Sequence, residues 1–142
     1  RLLHSGRVRR LPSSPDEIAG LLDVVARDLA DARVDALSAD RRFATAYNAA
    51  LQLATVVLRA EGYRTQGAAH HRTTIEALSL ILGPGVTPVA DYLDACRSRR
   101  NTVDYDGIGI ATEADVEDLL RETEGLRATI QAWLSETHPE LA

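Results

Sequence analysis

The stretch Ala46–Tyr63, AYNAALQLATVVLRAEGY, decides the fold. Ala46, Tyr47, Ala49, Ala50, Leu51, Leu53, Ala54, Val56, Val57 and Leu58 cover most of a helical circumference, so a helix here must be surrounded by other elements. Extended back to Ser38 and on to Glu61, the segment predicts the central helix of a bundle. Gly62 follows it where a left-handed C-cap belongs. Asn48, Gln52, Thr55 and Arg59 fall at successive steps of three or four residues and form one polar stripe. The expected place of that stripe is the solvent edge of the helix, in preference to a cleft or a subunit interface.

Working outward, SSPDEIAGLLDVVARDLADARVDAL (residues 13–37) offers Ser13 or Ser14 as N-cap, Pro15 at the first helical position and acids in the first turn. Ile18, Leu22, Val25, Leu29, Ala32 and Ala36 then recur at helical spacing. Downstream, a shorter helix is predicted over His70–Leu82 and stopped by the Gly83–Gly85 run GPG. A fourth begins near Thr87 and Pro88, with Val89, Tyr92, Leu93 and Cys96 on one face. After DGIGI (residues 106–110) a fifth starts at Thr112, where Asp115 completes a capping-box pattern. Its inner stripe is Val116, Leu119, Leu120, Thr123, Leu126, Ile130 and Trp133. No segment alternates with strand periodicity, and the short links predict antiparallel neighbours. The expectation is an all-α, up-and-down bundle of four to five helices at residues 14–136, with a basic irregular arm at 1–13 and a tail at 137–142.

The chain has 142 residues, the size of one domain, with 45% hydrophobic and 26% charged residues, which excludes disorder and fibrous repeats. Aromatics are only 4%, so the core must be aliphatic and alanine-rich. All 16 basic residues are arginine, a bias that a GC-rich genome explains. A net charge of −5 argues against wholesale coating of nucleic acid while leaving room for a local basic site. Four arginines fall in the first ten residues, whereas the last helix is acidic, as a solvated face would be. A single cysteine, Cys96, has no disulfide or CxxC partner and fits a reducing cytoplasm. There is no apolar run long enough for a membrane span. Methionine is absent even at position 1, so the numbered chain is expected to start inside a longer reading frame.

Chemistry concentrates in RSRRNTVDYDG (residues 97–107). Arg97, Arg99 and Arg100 meet Asn101, Asp104 and Tyr105 where the fourth helix ends. Arg100 and Asp104 stand one turn apart and form an i,i+4 couple, worth about 0.3–0.5 kcal/mol when exposed. Planar guanidinium forks beside an amide and a phenol suit phosphate or ribose. His70 and His71 open the third helix, where the dipole disfavours their protonated form. They join the arginines and Asp104 as candidate phosphate ligands, although packing or a cap-like hydrogen bond is expected for at least one. No ExxH pair, HExxH motif or Cys cluster offers a metal site, and no motif calls for a cofactor. Cys96 shares a face with Leu93 and reads as an inert core thiol.

Three blocks together resemble the HEPN family: AYNAALQLATVVLRAEGY, GAAHHRTTIEAL (residues 67–78) and RSRRNTVDYDG. The resemblance spans roughly Pro15–Leu134. It implies a homodimer with facing motifs, and a setting in toxin–antitoxin or nucleotidyltransferase-associated pairs. Family ribonucleases use an arginine, a polar residue after it and a histidine five positions beyond the arginine. Arg100 and Asn101 match the first two, and Tyr105 stands at the third, as in the family's DYG branch. The resemblance therefore makes Arg100, Asn101 and Tyr105 candidate catalytic residues of a degenerate site. A tyrosine with pKa near 10 is a poor proton acceptor at neutral pH. The reading that follows is a binding or regulatory module, partnered by a nucleotidyltransferase or antitoxin, that holds nucleotide or RNA phosphate. Its rivals are a metal-independent endoribonuclease and a structural dimerisation bundle.

Overall fold

The structure, a computed structural model, describes residues 6–65, 70–106 and 111–142, with the side chains of 100–106 outside that description. Its elements run β1 (Val8–Arg10), α1 (Pro15–Asp31), α2 (Ala39–Ala60), β2 (Tyr63–Thr65), α3 (His70–Leu82), a single 3₁₀ turn (Pro84–Val86), α4 (Thr87–Asp106) and α5 (Glu113–Thr137). The helix starts follow the caps. Ser14 Oγ accepts from the Glu17 amide at 3.2 Å, and Ser38 Oγ from the Arg41 amide at 3.2 Å. Thr112 and Asp115 form a reciprocal capping box. Gly62 (φ +85°) and Gly83 (φ +97°) end α2 and α3 at positive φ, which glycine alone adopts without strain.

Helix α2 is the centre. Thirteen of its side chains are buried, and α1, α3, α4 and α5 all pack on it, so the near-continuous apolar surface of the sequence is used on every side. Val116, Leu119, Leu120, Thr123, Leu126 and Ile130 are buried along α5 as the stripe requires, while Trp133 is half-buried.

Four features depart from the sequence expectation. The helix predicted to run on past Ala32 stops at Asp31, leaving Ala36 exposed. Arg42 Nε donates to the Ala32 carbonyl at 2.8 Å and Arg33 Nη1 to that of Leu29 at 3.1 Å, so arginines take carbonyls at the last turn. The arm is not wholly irregular: β1 pairs antiparallel with β2, Arg9 opposite Arg64 and Arg10 opposite Tyr63. Strands of three residues are too short to show alternation.

Neighbouring helices reverse at α1/α2, α3/α4 and α4/α5, but α3 runs in the same sense as α2. His71 lies beside Tyr47, with ring centroids 6.5 Å apart, and Ala77 packs with Leu58 one end further on. The rule of antiparallel neighbours assumes a short return, and here β2 intervenes. Finally, the polar stripe of α2 is not its solvent edge. Asn48 Nδ2 donates to Asp28 Oδ2 at 2.6 Å, Arg59 pairs with Glu17 at 2.5 Å, and Thr55 Oγ1 bonds the Leu51 carbonyl at 2.9 Å. The carboxylates of α1 cover the stripe, and Asp28 is itself buried.

Candidate functional site

The end of α4 meets the first turns of α2 and α5. Tyr92, Cys96 and Arg99 follow one another at helical spacing on the face that packs toward Phe43 of α2 and Asp115 and Asp118 of α5. Together with Ala95 they line a cleft of about 130 Å³. The Arg99 guanidinium carbon lies 5.8 Å from the centre of the Phe43 ring, and Arg99 Nη2 donates to Asp115 Oδ2 at 2.5 Å. Asp115 is itself fixed: its carboxylate also accepts the Thr112 amide at 2.8 Å. That amide holds its carboxyl below the usual carboxylate range, with the Thr112 hydroxyl and Arg99 acting in the same sense against partial burial.

Beneath this cleft, burial pushes the Cys96 thiol up to about 11, although the Tyr92 hydroxyl, hydrogen-bonded to it, and nearby Arg99 pull the other way. Tyr92 is raised above its ordinary phenolic range, by burial first and then by Cys96.

A second set of polar contacts fastens the start of α2 to the start of α5. Asp40 Oδ1 accepts the Ala111 amide at 2.9 Å. Arg42, 7% exposed, pairs with Glu113 while bonding the Ala32 carbonyl. These anchors were not legible as site residues. Asp115 had a signal in its capping box, whereas nothing in ADRRF (residues 39–43) marks Arg42 as the buried arginine and Arg41 as the exposed one.

Of the sequence candidates, Arg97 and Arg99 do not gather into one cluster. Two residues apart on a helix, they diverge by about 200°. Arg97 Nε pairs with Asp94 at 3.0 Å, beside a groove between α3 and α4, and Arg99 faces α5. His70 and His71 stand edge to face at the start of α3, centroids 4.7 Å apart, with His71 against the buried Tyr47. The side chains of Arg100, Asn101, Asp104 and Tyr105 lie outside the described residues. Among the described residues no group of three or more His, Cys, Asp or Glu is arranged to hold a metal ion, and no helix is long and apolar enough to cross a membrane.

A model of the SAV_6107-like HEPN family matches residues 32–141, from the end of α1 to the tail. The chain belongs to the HEPN family. The match takes in the central helix and the α4 motif, so the helical fold and the family implied by the three sequence blocks both hold. Among curated proteins and solved structures none matches this HEPN chain.

Proposed function

We propose that this HEPN domain is a binding or regulatory component of a toxin–antitoxin-like or nucleotidyltransferase-associated pair, and that it holds nucleotide or RNA phosphate at the end of α4 without efficient catalysis. The observation that carries the reading is the mounting of Arg99. It is seated over an aromatic ring, tied to a capped carboxylate, and 39% exposed in its side chain immediately before Arg100 and Asn101. An arginine oriented in advance loses less freedom on meeting a phosphate. Tyr105 at the histidine position supports binding over cleavage.

Affinity for a short single-stranded RNA is expected to fall steeply with salt, and Arg100→Ala to cost about 1.5–3 kcal/mol, the range for a hydrogen bond to a charged group. Fluorescence anisotropy across a salt series measures both. Cleavage of the same RNA by purified protein without metal, abolished by Arg100→Ala, would replace this reading with the endoribonuclease. Absence of any binding would leave a structural role for the motif.

The protein is further expected to be a symmetric homodimer, bringing two α4 ends to one axis. Light scattering at micromolar concentration checks this, and a mass of 15.4 kDa alone would count against it.

A further inference from the structure

The other end of α2 carries a second concentration of arginine. Arg59, near the last turn of α2, lies sixteen residues along the helix from Phe43, about 24 Å at the usual rise, so this surface is separate from the α4 site. Here the β1–β2 ribbon places Arg9 directly opposite Arg64, and opposed residues of an antiparallel pair project from the same face. Like charges so placed repel. Among the described residues Arg64 meets one carboxylate, Glu17, and it is shared: Arg59 Nη1 binds its Oε1 at 2.5 Å and Arg64 Nη2 binds the same atom at 3.0 Å.

Arg64 Nε is buried without a hydrogen-bond partner. Among the described residues the side chain of Arg9 has no ion pair or hydrogen bond, and Arg10 has only the face of Tyr63, at 5.9 Å. Glu61 is engaged by His138, and Asp16, beside Glu17, pairs with none of these arginines. Among the described residues, Arg9 and Arg64 on one face of the ribbon, with Arg59 beside Arg64, therefore have one carboxylate between them, while Arg10 lies on the opposite face with Tyr63, in a chain whose net charge is −5.

Of the opposed pair, Glu17 answers the charge of Arg64 alone, so the repulsion between Arg9 and Arg64 stands, and a ligand that neutralises both relieves it. We propose that the ribbon face of Arg9 and Arg64 is an anion-binding surface for the backbone of single-stranded nucleic acid, with Arg9 and Arg64 sharing one phosphate and Arg59 beside them. Through Glu17, which Arg59 and Arg64 share, the charge continues from the ribbon face to the end of α2, which fits a chain of phosphates better than one enclosed anion. The surface stands on its own residues and does not depend on the α4 reading.

The test uses a fluorescein-labelled twelve-nucleotide oligouridylate and the full chain. Arg9→Gln is the informative variant, since Arg9 is exposed and its side chain holds nothing else in place. It is expected to weaken binding several-fold and to lower the slope of log affinity against log salt by about 0.7, one single-strand phosphate contact. Relief of the repulsion should also raise its melting temperature by about 1–3 °C, a sign opposite to that of a structural arginine.

Unchanged binding in Arg9→Gln, or a lowered melting temperature, would overturn the proposal. If Arg100→Ala abolishes binding while Arg9→Gln leaves it intact, the α4 reading stands and this one falls. A loss in Arg9→Gln alone supports the ribbon and removes the α4 site as the main contact. An oligoglutamate of equal charge that competes as well as unlabelled RNA would assign the ribbon to an acidic protein partner and overturn the nucleic-acid assignment.

Discussion

Native protein at pH 8 is expected to react with a disulfide reagent at Cys96 at least about a hundredfold more slowly than the same chain in denaturant. The thiol is 5% exposed, and its pKa rises from an ordinary 9.0 to about 11, so the reactive thiolate is about a hundredfold scarcer before access is considered. A native rate equal to the denatured one would show that the face shared by Leu93 and Cys96 opens readily.

The same shift couples stability to pH. Between about pH 9 and 11 the unfolded chain has released this proton and the native state still holds it, so stability is full below the lower value and is lost as pH rises to the upper. The loss should total about 2–3 kcal/mol. Tyr92 adds a loss of the same sign at higher pH. Cys96→Ala should flatten the lower part of the curve in a series of urea titrations.

Arg42→Ala is expected to destabilise the fold by about 2–4 kcal/mol in urea denaturation. The magnitude does not come from its ion pair. Glu113 is 65% exposed in its side chain and can be rehydrated once released, and Asp35, 3.9 Å away, is almost wholly exposed. What the substitution removes is the donor to the Ala32 carbonyl, on a fully buried residue, and the alkyl stem packed between the end of α1 and the start of α5. Glu113→Gln should therefore cost under about 1 kcal/mol. Equal costs for the two variants would place the energy in the ion pair and refute the account.

The helices were legible because their ends are written locally. Ser14, Ser38 and Thr112 are caps whose partners lie within three residues, and Gly62 and Gly83 need only their own backbone angles. Illegible features are those whose partner is distant in sequence. Asn48 and Arg59 looked like a solvated edge because Asp28 and Glu17, which satisfy them, belong to another helix. Arg97 and Arg99 looked like one cationic cluster because a helix turns adjacent-looking residues to opposite flanks and because Asp115, which seats Arg99, lies sixteen residues on; the i,i+3 pair of Arg97 with Asp94 was open to reading from spacing. The sense of α3 relative to α2 was hidden for a similar reason, since a three-residue strand redirects the chain without leaving a periodic trace.

Asp115 makes the two positions unequal under substitution. One carboxylate both starts α5, through the Thr112 amide, and seats Arg99. A lineage that loses Arg99 still has reason to keep Asp115, because the helix must begin. A lineage that loses Asp115 gives up the carboxylate half of the capping box and unseats the arginine in one step, though Thr112 Oγ1 still accepts the amide of position 115. Replacing Arg99 thus leaves the start of α5 as it is, whereas replacing Asp115 touches both contacts at once. Directed evolution at this end of the bundle should accordingly vary position 99 first and hold position 115 fixed.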